Sequence, residues 1–269
     1  MERRSGLVPV AIDEPSLMSL KVTSQRDDLN GQAKTISEGT SFLVQDAGQV
    51  FLVTNRHVLT NRDPDNPEQP IAGSAALPST LRVEFSGSAV NSWRSHSVEL
   101  YDEDGAANWL QHPYGPHVDV AVLPIAPIAG TVFRFYDLEV SMPMTMSVAM
   151  DVSIIGFPFQ IPVDGHLPIW ARGTIATEPG LDYQGDRAFL IDSRTRPGQS
   201  GSPVIAWAPA LSIVPIQGHG AVVRSEASFE LLGIYSGRVA TDSDLGRVWK
   251  TEVIREVIRA RHRDSQQFS

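Results

Sequence analysis

Residues Ile191 to Ile205 read IDSRTRPGQSGSPVI and place Ser200 between two glycines, directly before an apolar strand. A nucleophilic serine needs a hydroxyl that is free of the backbone, and N–H groups beside it that hold the oxyanion formed at a carbonyl. Gly198 and Gly201 permit this geometry because glycine tolerates positive φ and the close approach of a substrate. The N–H groups of Gly198 and Ser200 are therefore the candidate oxyanion hole. Ordinary hairpin loops also use glycine and serine, so this stretch alone leaves a structural turn open.

Two upstream segments favour catalysis over a plain turn. FLVTNRHVL, residues 51–59, carries His57 at the end of an apolar strand, and HVDVAVLPI, residues 117–125, carries Asp119 at the start of another. An acid set before VAVL suits a buried carboxylate that orients and stabilises an imidazolium. The chain order His, Asp, Ser is one of the orders in which a base, an orienting acid and a nucleophile occur. We therefore predict His57, Asp119 and Ser200 as a catalytic triad.

Two other interpretations compete with this one. An α/β-hydrolase requires G-x-S-x-G, whereas residue 202 is a serine, and in that fold the histidine follows the acid. The other alternative is a protease-like scaffold that serves as a protein-binding module without turnover, since fold does not imply function. Such scaffolds usually lack a triad member, whereas all three are present in this sequence.

Four segments resemble the trypsin-like (chymotrypsin superfamily) serine peptidases. They are TNRHVL, DVAVL, PGQSGSPV and LLGIYSGRV, and together they extend from about Phe42 to Trp249. The SGSP version, with Ser202, is similar to bacterial glutamyl endopeptidases, and DSRTRPGQSGSP is similar to the high-temperature-requirement proteases. Three motifs in the right order make a far stronger signal than any one of them. The resemblance implies a serine endopeptidase that acts on polypeptide substrates without a cofactor or metal.

The expected fold is all-β. Short apolar runs separated by turn residues favour strands, and the resemblance implies two six-stranded antiparallel Greek-key β-barrels packed together, with the active site between them, followed by a C-terminal α-helix. Apolar residues at helical spacing near the end of the chain favour that helix. The predicted segments are an arm (1–17), a first barrel (18–125), a crossover (126–142), a second barrel (143–242), the helix (243–262) and a tail (263–269).

The resemblance also implies substrate-binding positions, namely Arg194, Thr195, Tyr235, Ser236 and Gly237. Arg194, six residues before the nucleophile, corresponds to the base of the primary pocket. If its guanidinium enters the pocket, it favours an acidic or polar residue before the cleaved bond. If it turns to solvent, the pocket accepts small apolar residues. Glutamyl endopeptidases have a histidine where this chain has Tyr235, so the residue by which they recognise an acidic substrate side chain is not reproduced.

Gln199 bears on activation. Family members often mature by a cleavage that frees an N-terminal amine, which then pairs with an acid just before the nucleophile. Gln199 is a neutral amide and offers no charge for that pair, so we expect activity without N-terminal processing.

Composition restricts the partners and the compartment. The 269 residues carry 22 basic and 31 acidic side chains, a net charge of −9, which argues against nucleic acid as a main partner. The sequence contains no cysteine, which points to a bacterial or intracellular source. It has no apolar run of signal-peptide or membrane-span length, so we expect a cytoplasmic protein without membrane contact. Long loops at 61–79 and 102–117 are expected near the cleft, and a regulatory protein partner is possible.

Overall fold

The computed structural model describes residues 12–265 except 29, 72–74, 90–91, 140–142, 164–165 and 241. Most of the predicted N-terminal arm and the last four residues of the predicted tail therefore lie outside the described residues. The rest of the arm forms a 3-10 turn at Glu14–Leu17, and the indole Nε1 of Trp170 donates a hydrogen bond to Ser16 Oγ at 2.8 Å. This end of the arm thus packs on the second half of the chain.

The described residues form predominantly strands. The elements are β1 Ser19–Asp27, β2 Ala33–Asp46, β3 Gln49–Thr54, α1 Arg56–Thr60, β4 Thr80–Ser86, β5 Trp93–Glu99, β6 Leu110–Gln111, β7 Ala121–Ile125, β8 Phe135–Tyr136, β9 Asp151–Gly156, β10 Ile169–Ile175, β11 Ala188–Asp192, β12 Pro203–Ala208, β13 Ile213–Ile216, β14 Gly220–Val223, β15 Ser228–Arg238, β16 Leu245–Lys250 and α2 Thr251–Ala260. The all-β prediction is confirmed. Among these elements, no helix is long and apolar enough to cross a membrane.

The first half forms one sheet in the order β5-β4-β1-β2-β3-β7-β6, with β8 pairing in parallel to β2. Apolar side chains alternate along its strands, as in β1, where Leu20 and Val22 are buried. The sheet has eight strands rather than the six expected, and β6 and β8, of two residues each, are its shortest. Strands β3 and β7 are neighbours in this sheet, and His57 follows β3 whereas Asp119 precedes β7.

The second half forms the closed six-stranded antiparallel barrel that the sequence predicted, in the order β10-β11-β16-β15-β12-β9. A separate hairpin of β13 and β14 lies between β12 and β15 in the chain. The two halves and α2 share one buried apolar cluster, to which Phe42, Ile155, Trp249 and Val257 contribute. The cleft between the halves is therefore held by a common core.

The predicted C-terminal helix begins too early. Residues 245–250 form β16, which pairs with both β11 and β15 and closes the barrel, and α2 begins only at Thr251. Val248 and Trp249 had fitted a helical spacing, but in the strand they point to opposite sides, into two different clusters. Strand pairing depends on distant partners that local spacing does not reveal. The barrel therefore extends beyond the predicted boundary at residue 242.

Candidate active site

His57 lies in α1, a single buried turn that follows β3. Asn55 precedes the helix with extended backbone, and Asn61 ends it in the left-handed conformation with φ 54°. Every residue of α1 is buried. The backbone around His57 is thus fixed on both sides, at the point where the first sheet meets the second barrel.

The carboxylate of Asp119 holds the His57 ring. Asp119 Oδ2 lies 2.7 Å from His57 Nδ1, and Oδ1 accepts the backbone N–H of His57 at 2.9 Å. Asn55 Nδ2 donates to the backbone carbonyl of Asp119 at 2.7 Å. The Asp119 side chain is only 1% exposed. An ionised carboxylate only accepts hydrogen bonds, so Nδ1 is the donor in this contact. In a neutral imidazole held this way, Nε2 has the lone pair.

Ser236 adds a third donor to this carboxylate. Its Oγ donates to Asp119 Oδ2 at 2.5 Å, and Ser236 itself is buried. Ser236 is also a predicted substrate-binding residue. Its side chain contacts the acid, and substrate binding by this residue stays a prediction. A bulge between Tyr235 and Gly237 turns Ser236 out of the strand's alternation. The sequence carries no local signal of that turn.

A buried ion pair supports α1 from behind. Arg56 Nε donates to Asp264 Oδ2 at 2.7 Å, and the two side chains are 2% and 1% exposed. Asp264 belongs to the predicted tail, and it lies beside the residue that precedes His57. No local sequence pattern marks this pair, because its partners lie 208 positions apart.

Ser200 lies in a loop that is tied to β2. Thr40 donates its N–H to the Ser200 carbonyl at 2.8 Å and its hydroxyl to the Gly198 carbonyl at 2.9 Å. A Cβ added to Gly39 would lie 2.9 Å from Val58 Cγ2 and 3.0 Å from the Ser200 carbonyl oxygen. The serine loop and the residue after His57 therefore meet over Gly39. Within the described part of the chain, no hydrogen bond joins Ser200 Oγ to His57; such bonds often tighten only with substrate bound.

Gly198 and Gly201 are required by the shape of the loop. Their φ angles are 93° and 84°, and a Cβ would overlap the Phe157 carbonyl at Gly198 and the Thr40 carbonyl at Gly201. The N–H groups of Gly198 and Ser200 donate to no residue in the described ranges. Their role as the oxyanion hole stays a prediction, with which these unpaired N–H groups are compatible.

Gln199 is buried and folds onto its own loop. Its Oε1 accepts the backbone N–H of Arg196 at 2.8 Å, while Nε2 has no hydrogen-bond partner among the described residues. The expectation that activity is independent of N-terminal processing stays a prediction, since residues 1–11 are not described.

The predicted primary pocket ends in a pair of hydroxyls. Thr195 Oγ1 and Tyr235 OH are hydrogen-bonded to each other, and both residues are buried. Gly246 leaves room for the Tyr235 ring, since a Cβ there would lie 2.5 Å from Cε2. Burial raises the pKa of the Tyr235 phenol above its ordinary value, so this end of the pocket is neutral.

The other two predicted substrate-binding residues differ in their surroundings. Arg194 is exposed. Gly237 adopts φ 133°, and an added Cβ would meet nothing within 4 Å, so β15 presents open backbone there. In the described ranges, no group of three His, Asp or Glu side chains could hold a metal ion.

Comparison with known proteins gives the family. The model of the trypsin-like peptidase domain matches residues 39–208, a range that contains His57, Asp119 and Ser200. No curated protein matches the sequence.

Two solved structures resemble this one. The serine endoprotease from Yersinia pestis aligns with TM-score 0.53 and 15% identity, covering 94% of this chain and 67% of its own. The active form of the Rv3671c protease from M. tuberculosis aligns with TM-score 0.47 and 18% identity, covering 91% and 81%. The Yersinia pestis structure supports the assignment of the fold. The family model spans well over half of the length of this chain. The chain therefore belongs to the trypsin-like peptidase family and is a trypsin-like serine endopeptidase.

Proposed function

We propose that the protein hydrolyses peptide bonds through an acyl-enzyme on Ser200, with His57 as the base and Asp119 as the acid that orients it. The observation that carries the proposal is the Asp119 carboxylate, which binds the His57 ring, the His57 backbone and Ser236. These donors come from both halves of the chain. Such an arrangement leaves His57 Nε2 as the basic atom at the cleft.

The reaction follows from the chemistry of these groups. His57 Nε2 takes the proton of Ser200 Oγ as that oxygen attacks the substrate carbonyl, and then gives it to the leaving amine. Asp119 stabilises the imidazolium in between. The N–H groups of Gly198 and Ser200 bind the oxyanion. Water then attacks the acyl-enzyme and His57 accepts its proton. The C–O bond to Ser200 breaks as His57 returns that proton to Ser200 Oγ, which releases the acid and restores the serine.

The pocket favours a small residue before the cleaved bond. The Tyr235 ring occupies space beside Gly246, and its hydroxyl is taken by Thr195. A lysine or arginine side chain would find no acid at this end of the pocket. Exposure of Arg194 supports the alternative in which its guanidinium lies in solvent. We therefore expect faster cleavage after alanine than after glutamate or lysine, and no change of this order in Arg194→Ala.

Cleavage of a peptide library tests the proposed function and separates it from a binding scaffold. We expect the intact protein to cleave members of the library and the Ser200→Ala variant to cleave none, with equal thermal stability of the two. Binding of peptides without cleavage by the intact protein, or equal cleavage by Ser200→Ala, would contradict the proposal.

A further inference from the structure

The loop after α1 reaches from the first half to the second. Within it, Asp63 Oδ1 accepts the N–H groups of Asp65 at 2.8 Å and Asn66 at 3.0 Å, which fixes a local turn. The turn presents the Asp65 side chain, and Asp65 Oδ1 lies 3.1 Å from Nη1 of Arg247 on β16. This ion pair joins the loop that follows His57 to the strand beside the open backbone of β15.

Arg247 lies directly across from Gly237. The two residues pair in the antiparallel ladder of β15 and β16, so their side-chain directions share one face. Gly237 has no side chain, and the space where one would begin is empty. At this position, therefore, no side chain of β15 separates the Arg247 guanidinium from the cleft.

The opposite face of the same strands carries Tyr235, a residue of the predicted primary pocket. Tyr235 pairs with Val248, the neighbour of Arg247, and both pack in the barrel interior. An extended peptide that pairs with β15 would place successive side chains on opposite faces. If the residue before the cleaved bond enters the pocket of Thr195 and Tyr235, the residue before that one faces Arg247.

Arg247 is the better enclosed partner of its ion pair. Its side chain is 18% exposed, against 67% for Asp65, and its guanidinium lies 6.0 Å from the centre of the Trp249 ring. Its Nε is buried without a hydrogen-bond partner among the described residues. Exposed ion pairs of this kind contribute little because water and salt screen them. A second carboxylate that binds the guanidinium through two N–H groups would therefore displace Asp65.

We propose that Arg247 selects an acidic side chain at the second residue before the cleaved bond, and that Asp65 occupies the guanidinium when substrate is absent. This inference rests on the proposed function, because it names a substrate preference of the same cleft. It assigns the recognition of an acidic substrate side chain to Arg247 on β16 rather than to Arg194.

The test uses matched peptides with alanine before the cleaved bond and glutamate, glutamine or lysine at the residue before it. For the intact protein we expect kcat/KM for the glutamate peptide to exceed that for the glutamine peptide about tenfold, as a charge-assisted contact gives. Arg247→Gln should bring this ratio close to one. Asp65→Asn should raise kcat/KM for the glutamate peptide, since the guanidinium is then unoccupied. Arg172→Gln is the matched control, because Arg172 forms an exposed ion pair with Asp151 on β9 and should leave the ratio unchanged.

Equal rates for the glutamate and glutamine peptides in the intact protein would overturn the proposal, as would a preference that persists in Arg247→Gln. If Arg247→Gln does not fold, Arg247→Lys replaces it. Its ratio of kcat/KM for the glutamate peptide to that for the glutamine peptide should lie between one and the ratio of the intact protein. Lysine keeps the charge but lacks the two-pronged set of N–H donors of arginine. Absence of cleavage for all three peptides, together with no reaction of Ser200 with a fluorophosphonate, would instead contradict the proposed function.

Discussion

Two regions of the cleft are built in contrasting ways. The inner wall is the set Asn55, His57, Asp119 and Ser236, and the outer rim is the set Asp65, Arg194 and Arg247. In the inner wall the Asp119 carboxylate is buried and accepts hydrogen bonds from both halves of the chain. In the outer rim the charged groups are exposed or are joined by a single partly exposed ion pair.

Burial therefore determines which of these contacts a substrate can replace. A buried charge that loses a hydrogen-bond partner is not hydrated instead. Substitutions in the inner wall should therefore have a large free-energy cost. A charge of the outer rim exchanges one partner for water or for another carboxylate at little cost. Catalysis should therefore depend on the inner wall, and selection among substrates on the outer rim.

The largest expected effect comes from Asp119→Asn. The amide cannot accept hydrogen bonds at both positions, so the His57 ring loses the tautomer with a free Nε2. We expect kcat to fall by about 10⁴-fold with the fold retained, as for the aspartate-to-asparagine change in other Ser-His-Asp triads of this family. Steady-state kinetics on a cleaved peptide measure it, with Asp104→Asn, an exposed aspartate of a surface turn, as the control. A kcat within tenfold of the intact protein would place Asp119 outside the catalytic machinery.

The next effect concerns stability behind the inner wall. Arg56→Met removes the guanidinium that binds the buried Asp264 carboxylate, so we expect the free energy of unfolding to fall by roughly 3–5 kcal/mol. Urea denaturation followed by fluorescence gives this value. Asp65→Asn removes the outer-rim ion pair and should change the free energy of unfolding by less than about 1 kcal/mol. Similar losses in the two variants would remove the contrast between the regions.

A smaller effect is expected for Ser236→Ala. This change removes one of the hydrogen bonds to the Asp119 carboxylate and leaves the two from His57 in place. We expect kcat to decrease about tenfold with KM unchanged, since a hydrogen bond to a charged group contributes about 1.5–3 kcal/mol. If instead KM rises and kcat is constant, Ser236 binds substrate as the sequence suggested.

The inner wall was largely predictable because its main residues lie in short motifs. TNRHVL and DVAVL place a histidine and an acid beside apolar strands, and PGQSGSPV places a serine between glycines. The structure adds the contact between His57 and Asp119 that these motifs implied. The buried residues of α2 were also visible, since their spacing matches one helical face.

The remaining features depend on pairing across long distances in the chain. The local spacing of apolar residues in β16 favours a helix, and only the partners β11 and β15 define this segment as a strand. Asp264 and Arg56 are 208 residues apart, and Arg247 and Asp65 are 182 apart. No local pattern marks such partners, because each is chosen by the folded shape rather than by its neighbours in sequence.

Activation of Ser200 by His57 is tested by the rate at which a fluorophosphonate labels Ser200. The rate is compared between the intact protein and His57→Ala, and mass spectrometry identifies the labelled residue. We predict labelling of the intact protein at Ser200 alone, and a rate at least about 100-fold lower in His57→Ala, because the base that takes the serine proton is gone. Equal rates in the two proteins would contradict His57 as the base, and labelling at another residue would contradict Ser200 as the nucleophile.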